Sequence, residues 1–142
     1  MVGPVPEKAL YALLTSGSPS LVAGRVFSLP LPDSWVSPCI SFFMVDEVAS
    51  GELGGVAQNH FRARFQIDIW ARRQDHETGG DTAEDRVRDL ARSVRNLLDG
   101  TSGSFGGVVL GSVRYQSSTD QFQNELGIVR RSLDFMVGYN DP

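Results

Sequence analysis

The stretch 61–71 limits this chain more than any other. Phe61, Ala63, Phe65, Ile67 and Ile69 alternate with Arg62, Arg64, Gln66, Asp68 and Trp70. Successive side chains on a strand point to opposite sides, so a two-residue period predicts a strand with one apolar and one polar face. Such a strand belongs to a sheet that is covered on one side only. The cover for the apolar side must come from elsewhere in the chain.

Two helical stretches can supply it. Over 81–99, Ala83, Val87, Leu90, Ala91, Val94, Leu97 and Leu98 form one stripe, while Arg86, Arg88, Asp89, Arg92 and Arg95 lie mostly off it. Asp81 is placed to cap this helix, with Glu84 completing a capping-box pair and Gly100 just past its end. Residues 5–16 read as a shorter helix, with Ala9, Leu10, Leu13 and Leu14 on one face and Pro6 in the first turn.

Further strands are expected at 39–45, 108–117 and 127–139, with a short extended piece at 25–27. The 39–45 run breaks alternation at Phe43 and Met44, so both of its faces are expected to be covered. In the last strand Val129, Leu133, Phe135, Val137 and Tyr139 share a face, opposite Arg130, Ser132 and Asp134. Pro30, Pro32 and Pro38 make 28–38 a non-regular connector. Residues 49–59 read as a flexible arm, 101–107 as a flexible link and 117–125 as a polar loop. The expected fold is α+β: an antiparallel or mixed sheet of about four strands with two helices packed on one face, in the order α-β-β-α-β-β. At 142 residues the chain is expected to be one domain, 1–142.

The net charge of −4 argues against a general nucleic-acid coat, whose affinity comes from neutralised phosphates. The single cysteine, Cys39, leads an apolar strand and reads as a buried, inert thiol. No apolar run is long enough to cross a bilayer, and the first residues carry no signal-peptide core. No metal site and no cofactor is expected. The glycine-rich run 100–107 follows a helix and has no lysine, so it reads as a linker rather than a phosphate cradle. His60 and His76 are the only imidazoles, and Asp75, His76 and Glu77 read as a solvated loop. Arg62, Arg64, Arg72 and Arg73 gather around one strand with Trp70 nearby. Three uses remain open for them: a solvated sheet face, a protein contact or a nucleic-acid contact.

Taken in order, the segments resemble the phage tail completion, or tail terminator, family of long-tailed phages, prophages and gene transfer agents. The likeness rests on Leu10-Tyr11-Ala12-Leu13-Leu14-Thr15, on Leu21-Val22-Ala23-Gly24-Arg25-Val26-Phe27, and on Pro38-Cys39-Ile40-Ser41-Phe42. It rests most on Phe65-Gln66-Ile67-Asp68-Ile69-Trp70-Ala71, followed after a polar loop by a helix at 82–98. The resemblance implies a structural virion protein and no catalytic residue. Such proteins form a ring, usually a hexamer, on the head-proximal end of the tail tube. They end tube polymerisation and present a surface to the head connector or stopper protein. The resemblance places such a protein at the head–tail junction of the virion after assembly in the host cytoplasm, with DNA passing the lumen without specific binding. Glu52, Leu53 and Val56 on the arm, and Arg62, Arg64 and Trp70 on the strand, are then the expected subunit or partner contacts. The alternatives are another connector component, a stopper or adaptor, or a small α+β enzyme or ligand-binding domain. That last reading needs His60 or His76 to meet Asp46, Glu47 or Asp68.

Overall fold

Two apolar patterns, one strand-like and one helical, share a core here as a helix layer packed on a sheet. The computed structural model describes residues 6–16, 25–28, 31–49, 60–76, 82–123 and 127–140. Helix α1 spans Pro6–Ser16 and is followed by strands β1 (Val26–Ser28), β2 (Cys39–Ala49) and β3 (His60–Arg72). A 3₁₀ turn (Arg73–His76) leads toward helix α2 (Ala83–Leu98), and β4 (Gly103–Phe105), β5 (Val108–Gln123) and β6 (Ile128–Asn140) close the order. The six strands form one sheet in the order β1-β2-β3-β6-β5-β4. All neighbours are antiparallel except β1 and β2, which run parallel.

The α+β class and the two-helix layer match the sequence reading, but the sheet has six strands rather than about four. The two extra strands are three-residue edges. β1 is the extended piece at 25–27 drawn onto β2, where Ile40 N donates to Arg25 O at 3.0 Å. β4 lies in the expected linker. It turns back onto β5 through Gly106 and Gly107, both at positive φ (57° and 84°), as a two-residue hairpin of matching twist requires. The expected loop at 117–125 is also corrected: β5 runs on to Gln123, paired with β6 down to Ile128. The arm at 49–59 lies outside the described residues beyond Ala49, the last residue of β2.

The apolar face of β3 is buried as its pattern requires: Ala63, Phe65, Ile67 and Ile69 are closed to solvent. Register carries this face across the sheet, pairing Phe42 with Ile67 and Phe65 with Phe135. α1 contributes Leu10, Leu13 and Leu14, and α2 contributes Val87, Leu90, Val94 and Leu98. α1 touches β1 as well as β4 and β5, so the sheet curls to bring both edges to one helix.

Both ends of α2 are fixed by hydrogen bonds. The N-cap is Thr82, one residue later than the expected Asp81, and its Oγ1 accepts from Asp85 N at 3.1 Å. At the other end Gly100 takes φ +82°, as expected for the residue past the cap. Its N–H donates to Val113 O at 2.7 Å, while Asp99 Oδ1 accepts from Tyr115 N at 2.9 Å. The helix is thereby tied to the middle of β5.

Two outcomes follow. Phe65→Ala lowers unfolding free energy by about 3–5 kcal/mol in urea titration, as for a fully buried aromatic side chain. Gly106→Ala costs more stability than Gly127→Ala. Both residues sit at positive φ, but a Cβ at 106 comes within 3.1 Å of Lys8 O, whereas at 127 nothing lies within 4 Å. Equal losses would show that the contact between α1 and the hairpin does not restrain the turn.

Candidate functional site

The helices cover one side of the sheet. The other side carries the second half of the β3 alternation: Arg62, Arg64, Gln66, Asp68, Trp70 and Arg72. Cross-strand register sets Asp134 opposite Gln66, Ser132 opposite Asp68 and Arg130 opposite Trp70. The polar residues of β6 noted from its own alternation thus complete the same face.

Across its middle this face is a hydrogen-bonded network. Arg64 Nη2 reaches Asp134 Oδ2 at 3.3 Å, and Ser117 Oγ donates to the same oxygen at 3.3 Å. Gln66 Nε2 donates to Asp68 Oδ1 at 3.0 Å. Asp68 is only 1% exposed although no helix covers it. Its strand neighbours Gln66 and Trp70, with Ser41 and Ser132 opposite on β2 and β6, close it in.

At the Arg72 end the proline-rich connector folds over the face. Arg72 lies with its Cζ 3.8 Å from the Trp35 ring centroid. It also donates from Nη1 to Trp35 O at 2.6 Å, and its backbone N–H donates to Ser37 Oγ at 2.9 Å. The Trp35 and Trp70 rings lie 6.2 Å apart, tilted by 56°. Arg130 sits 4.9 Å from the Trp70 ring, and Trp70 Nε1 donates to Ser41 Oγ at 2.9 Å. Cation–aromatic contacts of this kind favour arginine over lysine, because the guanidinium is planar and weakly hydrated. This lid explains why Cys39 and Ser41 are buried on the outer side of β2.

The expected contact residues fall into three settings. Trp70 is half-buried beneath Trp35 and Arg130, so it packs the face more than it displays it. Arg64 is exposed but held by Asp134. Arg62 is exposed and makes no ion pair among the described residues. It borders a hollow of about 260 Å³ shared with Ser112, Arg114, Gln116, Met136 and Gly138. The hollow exists because Gly138, between Arg62 and Ser112 in the register, has no side chain. Glu52, Leu53 and Val56 lie outside the described residues. Trp35 was not anticipated, since a connector without periodicity gives no sign of which face it will cover.

The imidazole and carboxylate that the enzyme reading needs together stand apart at His60 and Asp68. His60 is exposed at the start of β3, and Asp68 stands eight residues along the same strand, about 26 Å away at 3.3 Å per residue. Asp46 pairs in register with Arg64 rather than with an imidazole. Glu84 is held below the usual carboxylate range by a hydrogen bond from Arg73, whose Nε lies 2.7 Å from Glu84 Oε1 and ties the 3₁₀ turn to α2. Burial pushes the Cys39 thiol from 9.0 up to about 12, only partly opposed by the charges of Arg25 and Arg72. The thiol therefore stays protonated in the fold where the unfolded chain would ionise. Its contribution to stability is intact below pH 9.0 and is lost as pH rises toward 12. At pH 8.5 a thiol reagent such as DTNB is expected to label Cys39 at least 100-fold more slowly in the folded protein than in urea, because the thiolate is the attacking species. Comparable rates would mean that the lid over β2 opens readily.

Comparison with known proteins gives two positive findings. Among solved structures, a chain from the virion of a native gene transfer agent particle shares the fold at TM-score 0.65 and 18% identity, over 93% of this chain and 92% of that one. No curated protein matches. The family model for tail completion protein gp17 matches residues 8–140, from α1 through the last strand. The chain belongs to the tail completion protein gp17 family.

Proposed function

We propose that this protein closes the head-proximal end of a tail tube as a ring of identical subunits, most simply a hexamer. In that role it ends tube polymerisation and gives the head connector or stopper protein a surface to dock on. Membership of a tail completion family makes it a structural protein of a phage-type tail. The single observation that supports the finer reading is the helix-free face of the sheet. That face is organised across three strands by Arg64–Asp134, Gln66–Asp68 and Trp70–Ser41 contacts, with Arg62 exposed at its margin. Side chains already held by neighbours lose little rotamer freedom on binding, so such a face suits a partner protein. A ring needs an interface between two different patches of the same subunit, and a sheet with one bare face and one helix-covered face offers unlike patches. The arm that carries Glu52, Leu53 and Val56 is the second contact in this reading. A net charge of −4 suits a lumen that lets DNA pass without holding it. The site of action is the head–tail junction of the virion.

Native mass spectrometry over a concentration series, alone and with tubes of the cognate tube protein, tests the reading. Discrete rings, or caps at one tube end in electron micrographs, are expected. The double variant Arg62→Glu, Arg64→Glu is expected to raise the concentration for half-assembly at least tenfold while its circular dichroism spectrum is unchanged. A monomer at every concentration, with and without tubes, sinks the ring reading. Binding to a portal ring but not to tube ends would instead make the protein a stopper or adaptor.

A further inference from the structure

A second polar surface lies on the opposite side of the sheet, beside α2. There β5 and β6 carry polar residues on the side that faces the helices: Ser118 and Asp120 on one strand, Arg131 on the other. α2 faces them with Arg88, Arg92 and Arg95, four and three residues apart and therefore on one side of the helix. These side chains border a hollow of about 460 Å³, with Ala91, Leu133 and Tyr115 also lining it.

The charge in this hollow is unbalanced. Four arginines line it and one acidic residue, Asp120, does. Asp120 Oδ1 lies 3.3 Å from Arg131 Nε. Arg131 Nη2 donates to Ser118 Oγ at 3.4 Å, while its Nε is buried and makes no hydrogen bond. Arg88 is held by Asp85 at 3.2 Å, outside the hollow, and Arg95 lies 5.2 Å from the Tyr115 ring centroid. Arg92 is exposed and has no ion pair among the described residues. A buried donor short of an acceptor costs about 1–3 kcal/mol, more when charged, so an added acceptor here is favoured. Planar guanidinium forks match the two oxygens of a carboxylate.

We infer that the groove formed by Arg88, Arg92, Arg95 and Arg131 binds carboxylates of an acidic segment of a partner protein. The groove lies on the helix side of the sheet, away from Arg62 and Arg64 on which the ring reading is tested, so the two tests fail separately. Patch length favours a peptide over nucleic acid. Arg88 to Arg95 cover about 10 Å of helix at 1.5 Å per residue. Asp85 bounds the patch before it and Asp99 after it on the same helix. Two or three carboxylates fit between those bounds. A duplex carries one charge per about 1.7 Å of its axis, so its run of phosphates extends beyond a patch this short toward both aspartates.

Fluorescence anisotropy with a fluorescein-labelled octapeptide of alternating Asp and Glu tests the inference on the full chain at 50 and 150 mM salt. The acidic peptide is expected to bind at least tenfold tighter than a Gln/Asn octapeptide, and to weaken as salt rises. Arg92→Gln with Arg95→Gln is expected to reduce affinity at least tenfold. Arg86→Gln, an exposed site on the far side of the same helix, removes one positive charge with less than a twofold effect. If Arg86→Gln weakens binding as much as changes in the groove, the peptide is sensing net charge and the inference fails. It also fails if a 20-base-pair duplex binds more tightly than the peptide, if inorganic phosphate at millimolar concentration displaces the peptide completely, or if the acidic and neutral peptides bind alike.

Discussion

The structure depends on β3 having two faces in a fixed register. Phe65, Ile67 and Ile69 are each fully buried, and each contributes about 1.5–3 kcal/mol by leaving water. A slip of one residue would send Arg62, Arg64 and Asp68 into the core and all three apolar side chains out. The register is therefore fixed by the core. What happens on the other face follows from it: the core pairing that sets Phe65 against Phe135 also sets Gln66 against Asp134 and Trp70 against Arg130. The network that organises the bare face is thus positioned by side chains on the opposite side of the strand.

Elements whose pattern records a buried face were legible in the sequence. β3, β6 and α2 bury nearly all the residues that their periods mark, with Phe61 and Leu97 half-buried against the core. The second half of β5 was not legible, for a physical reason. Its helix-side positions, Ser118 and Asp120, border a polar hollow instead of the core, so no apolar alternation was needed there. β6 supplies a complete ladder, and backbone pairing alone keeps that stretch extended. β1 and β4 are three residues long, too short for any period to show, and their pairing is decided by β2 and by the Gly106-Gly107 turn. Of the expected contact residues, Arg62 and Arg64 lie exposed on the polar face as the alternation required, while Trp70 was found beneath Trp35. A contact made by a connector across 35 positions of sequence leaves no local trace.

The two polar surfaces differ in how their charges are balanced, and that difference separates their roles. Across the middle of the bare face charged groups find local partners, Asp134 serving both Arg64 and Ser117 and Gln66 holding Asp68, while Arg62 at the margin has no ion pair among the described residues. Such a face is already ordered, and it can meet a partner through shape and hydrogen bonds with little rearrangement. Beside α2 the count is four arginines to one aspartate, in a chain whose overall charge is −4. Holding like charges together costs self-repulsion, and here nothing in the core requires it: Arg88, Arg92 and Arg95 all project away from the buried stripe of α2. A local excess of one sign against the sign of the whole molecule steers oppositely charged groups toward it. The helix thus does two separable jobs. Val87, Leu90, Val94 and Leu98 close the core, and the arginines between them face outward toward an acidic partner that the sheet itself does not supply.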